Sequence, residues 1–420
     1  MATPHPTGPG LVGYGSVHFG KSLLWAGEDA LALYILVRIV ELPPALAGVM
    51  FLASSLWNAL CDGLFGAALQ RWPATGRFVP LLSALALLAC GGAFAALPLV
   101  EKGDAAIAIA LLFLFRTGFS LADLPHNALT RQLAQSRGDL GIARLRAAGA
   151  SAAAIVVGLA AYLLLDSQGS GSSPAFALIG GIGLVAILFM APLPLLLARD
   201  GRAAAPAPAP ETKPAADRFL SLYCLATAIG LAGIAAIAKA LLHLDFGAAE
   251  LGAAVVLVMT VGRLAAVWLW SPVARRLGNR PALALAYATS GIAAPLLALL
   301  APLGPAVAWP ATILFALLGG GIAMLCWAVL SEALGRGGRQ ESPGRYAAAF
   351  GLFTMSMKVG LGLSAALTGA WLSASGAAAG LAPATLLPLA LMATLASFAA
   401  ALMILGADWR ARPEPASAGG

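Results

Sequence analysis

The sequence predicts an all-α polytopic membrane protein of twelve transmembrane helices in two six-helix halves, and three observations carry that expectation. The first is bulk composition. Of 420 residues 60% are hydrophobic and 10% charged, with a mean hydropathy of +0.89, whereas soluble domains carry about 25% charged residues. The second is that apolar segments of bilayer-spanning length recur twelve times between polar or Gly/Pro-rich breaks, each close to the ~20 residues that a helix needs to cross the hydrocarbon core. The third is a stretch of alternating Pro and Ala between charged residues, which divides the twelve segments evenly.

Taken in order, the first half reads as spans 12–38, 44–68, 79–99, 105–130, 142–165 and 175–198. The first of these has no Lys or Arg before Lys21 and carries Lys21, Glu28 and Asp29 within it. It does not have the layout of a cleavable signal peptide and is expected to be retained. The stretch 200–217 opens, directly after Arg199, with Asp200-Gly201-Arg202 and continues with the Pro/Ala alternation from Ala203 to Pro210. Such a composition cannot bury a core and reads as an extended linker. The second half reads as 218–241, 249–272, 281–301, 307–333, 346–373 and 382–406. The expected organisation is therefore an N-terminal bundle over 1–199, a cytoplasmic linker over 200–217, a C-terminal bundle over 218–406 and a cytoplasmic tail over 407–420.

The 25 cations give the orientation. With both termini inside, 18 fall in cytoplasmic segments and only Arg38, Lys102 and Lys239 on the opposite side, while Lys21, Arg116, Arg263 and Lys358 lie within spans. This asymmetry is what sets topology in the inner membrane of bacteria. The net charge of +7 does not point to nucleic acid, because the cations are scattered among short loops and form no basic face. Cys61, Cys90, Cys224 and Cys326 are widely spaced within spans and suit neither a disulfide framework nor a metal cluster. A membrane enzyme or sensor is disfavoured, since no soluble domain, metal-ligand spacing, nucleophile elbow or phosphate loop is present. No cofactor is expected, and the chain reads as a monomer whose partners are the bilayer and a small molecule.

Charges inside spans mark the candidate site, because an ionisable group in a bilayer is costly unless it is paired, hydrated or functional. In the second span Asn58 and Asp62 share a helix face, beside the second pair Trp57 and Cys61. Asp123 lies in the fourth span and Lys358 in the eleventh. A proton requires only a carboxylate whose burial raises its proton affinity, plus an opposite charge to hold the ionised form, whereas sodium prefers several oxygen ligands. Asp62, Asp123 and Lys358 meet the first requirement, with the lysine expected to exchange between the two carboxylates. On the first span Lys21, Trp25 and Glu28 fall near one face, with Asp29 beside them. Trp25 is expected to stack on a flat solute face and Glu28 or Asp29 to accept hydroxyl hydrogen bonds. Arg116, seven residues before Asp123, reads as its intrahelical counter-charge, and His126 as a residue of the membrane interface. Arg263 and Glu332 complete the embedded charges with no assigned role. The runs Gly319-Gly320-Gly321 and Gly360-Leu361-Gly362 allow close helix approach.

The two halves echo one another. Gln70-Arg71 and Gly76-Arg77 follow the second span, and Arg275-Arg276-Leu277-Gly278-Asn279-Arg280 follows the eighth. Two six-helix repeats with a basic loop at the same place resemble the major facilitator superfamily, in which the substrate site lies at mid-membrane between the halves. A narrower resemblance rests on Gly13-Tyr14-Gly15, Gly20-Lys21, Trp57-Asn58-Ala59-Leu60-Cys61-Asp62 with Gly66, Asp123-Leu124-Pro125-His126-Asn127-Ala128-Leu129, Arg144-Leu145-Arg146 and Lys358. Together these are similar to the glycoside-pentoside-hexuronide:cation symporters, the group of the melibiose carrier. The resemblance implies that Asp62, Asp123 and Lys358 belong to the cation site, that Asp123 also serves the sugar, and that Trp57 and Arg146 support them. It also exposes departures. Asn58 stands where the family has aspartate, Cys61 where it often has asparagine, and Ser22 where the melibiose carrier has a sugar-binding carboxylate.

These readings converge on a secondary carrier for a small solute, glycoside-like or uronide-like, coupled to a proton and less favourably to sodium. The cation-coupling set is Asp62, Asp123, Asn58 and Lys358, and the substrate-facing set is Trp25, Lys21, Glu28, Asp29, Asp123 and Arg146. The alternative is a carrier for an amphipathic or lipid-like substrate, sodium-coupled or uncoupled, since the chain has lost a sugar-type carboxylate.

Overall fold

The structure, a computed structural model, describes residues 8–71, 78–166, 172–203, 218–241, 244, 251–335, 343–375 and 382–406. Every regular element among them is helical. The first half comprises α1 (Gly8–Tyr34), α2 (Pro44–Arg71), α3 (Val79–Ala96), α4 (Ala105–Arg137), α5 (Asp139–Asp166), α6 (Ser172–Met190) and α7 (Leu193–Ala203). The second comprises α8 (Arg218–Ala240), α9 (Leu251–Leu277), α10 (Asn279–Leu300), α11 (Pro305–Gly335), α12 (Pro343–Ala374) and α13 (Leu387–Gly406). Because α6 and α7 together make the sixth span, the twelve expected spans are all present, and α8 to α13 are spans seven to twelve. Eleven of the spans meet a strict length and apolarity requirement. The remaining one, α1, is 27 residues long, about 40 Å at 1.5 Å per residue, and carries Lys21, Glu28 and Asp29.

Local chemistry places the ends. Pro44, Pro305 and Pro343 occupy the first position of α2, α11 and α12, where a missing N–H costs nothing. Asp104 caps α4, its side chain accepting from the Ile107 N–H at 3.0 Å. Gly138 closes the same helix at φ 75°, a conformation in which a Cβ is strained. A π turn over Ile35–Ile39 finishes the first span, with Val40 N–H donating to Ile35 C=O at 2.9 Å, and Pro43 and Pro44 prevent the helix from continuing. The sixth span is interrupted at Ala191 and Pro192, so that the one expected helix becomes two. Helix α7 runs on to Ala203, through the first residues of the expected linker, and 204–217 lie outside the described residues.

Buried apolar residues form two clusters. One runs from Tyr14 to Leu197 and the other from Phe219 to Ile404, joined by Leu124, Ala143 and Ala147. Across the divide α2 lies along α12, and α5 packs against α9 and α11. The α2/α12 crossing is close because both backbones are bare. A Cβ built on Gly66 would sit 3.0 Å from Ala347 O, and one on Gly351 would sit 2.7 Å from Asp62 O.

The two ends of the bundle differ. Where α4 ends and α5 begins, Ser331 Oγ of α11 donates to Asp139 Oδ1 at 2.6 Å, and Arg131 Nη1 donates to the same oxygen at 3.1 Å. That end is bridged across the halves. At the other end the link across the halves is a longer and more exposed ion pair, Asp29 of α1 with Lys239 of α8 at 3.6 Å, with side chains 39% and 25% exposed.

Candidate functional site

The first polar centre lies where α2, α4 and α12 meet. Lys358 Nζ is 2.6 Å from Asp62 Oδ2 and donates to Asn58 Oδ1 at 2.6 Å. Ser120 Oγ of α4 donates to the same Asn58 oxygen at 2.6 Å. Asp62 and Asn58 are fully buried, and neither Asp62 Oδ1 nor Asn58 Nδ2 has a hydrogen-bond partner among the described residues. The Lys358 ammonium stands 5.7 Å from the Trp25 ring and 5.5 Å from Phe119, which gives it a cation–π environment facing α1. Trp57, by contrast, is 37% exposed on the outer surface of α2, with its indole N–H on Thr117 Oγ1 at 2.8 Å.

A second centre joins α1, α4 and α5. Lys21 Nζ is ion-paired with Asp123 Oδ1 and donates to Asn127 Oδ1 at 2.6 Å, while Asn127 Nδ2 donates to Asp123 Oδ2 at 2.8 Å. The Arg146 guanidinium extends the network, donating to Asn127 Oδ1 at 2.9 Å, Tyr14 Oη at 2.7 Å and Thr130 Oγ1 at 3.0 Å. Across the divide it lies 3.8 Å from the Trp327 ring of α11, so it links the two halves through an aromatic face. Tyr14 stacks on His126 at 4.3 Å, and His18 Nε2 is 2.8 Å from Arg146 O.

A third pair is sealed within the first half. Arg116 Nη2 is 2.6 Å from Glu28 Oε1, both side chains being 1% exposed. Arg116 also donates to Ser55 Oγ at 3.2 Å and lies 5.0 Å from the Trp25 ring and 5.2 Å from Phe51.

Set against the expected set, the structure brings Asp62, Asn58 and Lys358 together, and likewise Lys21, Asp123 and Arg146. Four expectations change. Lys358 does not sit between two carboxylates, because Asp123 has its own lysine, Lys21. Glu28 does not face a solute, since its carboxylate is bound to Arg116 in the core. Arg116 is consequently the counter-charge of Glu28 and not of Asp123. His126 is fully buried against Tyr14 and not at the interface. Trp25, half-buried, stands between Arg116 and Lys358, and Asp29 lies at the rim with Lys239. Arg146 is 2% exposed inside the bundle, so it leaves the set of loop cations that orient the chain.

Several members were not singled out as site residues in the sequence: Ser120, Asn127, Thr130, Tyr14, His18 and Trp327. Helical spacing was the available signal for two of them. Asn127 follows Asp123 by four residues, and His18 precedes Lys21 by three. Trp327 carried none, because its role comes from a helix of the other half.

A family model described as MFS/sugar transport protein matches residues 13–412. Among solved structures, a bacterial homologue of the iron transporter ferroportin in an outward-facing state is similar at 14% identity and TM-score 0.66, covering 94% of this chain and 99% of that one. The E. coli fucose:proton symporter FucP is similar at 15% identity and TM-score 0.63, covering 95% and 98%. At such identities the likeness extends to the fold alone. No curated protein matches in sequence.

Proposed function

The chain belongs to the MFS/sugar transport protein family, and from that premise we propose that it moves a glycoside-like or uronide-like solute by alternating access, in symport with a proton. The moving bodies are the bundles 1–199 and 218–406, joined through 200–217, with a monomer set in the bacterial inner membrane and both termini cytoplasmic. Seventeen loop cations against three support that orientation once Arg146 is removed from the eighteen.

The observation that carries the coupling reading is the occupancy of Asn58 Oδ1. It already accepts from Lys358 and from Ser120, each at 2.6 Å, and the Lys358 ammonium covers Asp62 at 2.6 Å. A lysine stands where a sodium ion would need those oxygens, and Cys61 adds only a soft sulfur. Ionised Asp62 holds Lys358 between the halves. A proton on Asp62 cancels that attraction and leaves the ammonium to Asn58 and to the Trp25 and Phe119 rings. Trp25 and the Lys21–Asp123–Arg146 network then offer the solute a flat apolar face beside charged hydrogen-bonding groups. Loading the proton and binding the solute are thus linked through one side chain, Lys358.

The test is uptake into proteoliposomes with proton and sodium gradients imposed separately across a panel of labelled glycosides and uronides. Accumulation is expected to follow the pH gradient alone, and Asp62→Asn to abolish uphill uptake while sparing solute exchange. Accumulation on a sodium gradient at constant pH refutes proton coupling.

A further inference from the structure

Two of the cations within the bundle stand apart from its ion pairs. Among the described residues, six carboxylates each have a cation within 4 Å: Asp62 with Lys358, Asp123 with Lys21, Glu28 with Arg116, Asp29 with Lys239, and at the helix ends Asp139 with Arg131 and Glu41 with Lys102. Among the described residues, Arg146 and Arg263 have no carboxylate within 4 Å. Arg146 is nevertheless satisfied by Tyr14, Thr130 and Asn127 and covered by Trp327. Arg263 has neither polar partner nor aromatic cover among the described residues, although it lies midway along α9.

Its direction excludes a lipid-facing side chain. The outer face of α9 is marked by the exposed Val261, Trp268 and Leu269. At 100° per residue Arg263 points about 120–160° away from all three. On its own face the following residues Val267, Trp270 and Ala274 are buried, yet Arg263 itself is exposed. The face that turns inward is therefore packed on one side of Arg263 and open to solvent at it, which places the guanidinium in the cleft between the halves. Asp29, across that cleft on α1, is the charged group that acts on it from a distance, but Asp29 is already engaged by Lys239. The backbone is held as well. A Cβ on Gly320 of α11 would lie 3.0 Å from Arg263 Cα, so the two helices meet there with no side chain between them.

A guanidinium fixed at mid-membrane, wet and unpaired, is costly to keep unless something of opposite charge comes to it. Its fork of donors matches the paired oxygens of a carboxylate, phosphate or sulfate. We propose that Arg263 is an anion-binding residue of the transport cleft, and that the solute carries a negatively charged group which it takes up. This rests on the carrier reading above and adds the charge of the solute to it. Two sources of such a group fit the cleft, an acidic sugar and an acid-headed amphiphile.

Matched pairs that differ only in that charge test the proposal on the purified full-length protein. Methyl glucuronide is set against methyl glucoside, and dodecyl phosphate against dodecyl maltoside, with thermal stabilisation and titration calorimetry as readouts. In the unmodified protein the anionic member of one pair is expected to bind at least about tenfold tighter than its neutral counterpart, the weight of one charge-assisted hydrogen bond. The pair that responds identifies the source. Arg263→Gln should erase the preference without lowering the melting temperature in the absence of ligand, and Arg263→Lys should keep part of it. A preference that persists in Arg263→Gln overturns the assignment, as does a failure of both anionic members to bind. Binding of neutral members alone removes the anionic site and leaves a solute carrier standing. Arg263-dependent anion binding without proton-driven uptake refutes the coupling reading and keeps the site.

Discussion

Removing the Glu28 carboxylate separates a structural ion pair from a functional one. The perturbation is Glu28→Gln, which keeps the shape and leaves Arg116 charged, together with Arg116→Gln and the double variant. At the observed 2.6 Å the Coulomb attraction is about 6 kcal/mol at an effective dielectric of about 20. Desolvation of the two ions costs several kcal/mol each, so the intact pair has a small net value, but removing one partner typically costs about 3–5 kcal/mol. Ser55 is the only other hydrogen-bond partner of Arg116 among the described residues, and one neutral hydroxyl does not compensate a buried charge. Each single variant should therefore lose about 3–5 kcal/mol of unfolding free energy, and the double variant should recover more than half of that loss. The assay is denaturant titration in micelles, read as a double-mutant cycle, alongside exchange transport by the double variant. Additive losses refute the reasoning, and so does complete loss of exchange in a stable double variant, since Glu28 would then act on the solute.

Ser331→Ala removes one of two donors to Asp139 across α5 and α11. A bond to a carboxylate is worth about 1.5 kcal/mol at the low end, so alkylation of Leu334→Cys in a background lacking the native cysteines should quicken roughly tenfold. An unchanged rate means that this bridge does not hold the end closed. Gly351→Ala forces a methyl group toward the Asp62 carbonyl and should cost about 1–3 kcal/mol in stability, with transport slowed. Stability equal to the unmodified protein would show that α2 and α12 are free to separate.

The fold was legible because a bilayer imposes one rule on every span, which is to hide the backbone in a helix and show lipid an apolar surface. Length and apolarity sufficed even where local detail did not follow. Pro192 and Pro194 were visible in the sequence, yet the sixth span was read as a single helix and is broken. The site was half legible. Asn58, Asp62, Asp123 and Lys358 stood out as polar groups in apolar surroundings, and helical spacing joined Asn58 to Asp62. What spacing cannot supply is the partner on another helix. Lys21 reaches Asp123 across 102 residues and Lys358 reaches Asn58 across 300. Arg116 was assigned to the nearest carboxylate along its own helix, whereas Glu28 meets it in space. Arg263 drew no role because its meaning lies in which face of α9 is buried, a property of packing and not of sequence.

The bare crossing of α2 and α12 has a mechanical consequence. If the halves rock about Gly66 and Gly351, that crossing is a fulcrum and α2 is a lever with very unequal arms. Asp62 stands four residues from Gly66, about 6 Å along the axis, and the first residue of α2 stands 22 residues away, about 33 Å. A swing that carries the far tip through about 10 Å displaces Asp62 by only about 2 Å on the same rigid helix. Even that short travel is enough to stretch the 2.6 Å contact of Asp62 with Lys358 of α12 past 4 Å, so the swing and the loss of this ion pair go together. On the proton-coupled reading proposed above, a proton on Asp62 lowers the electrostatic cost of that separation and frees the lever to turn.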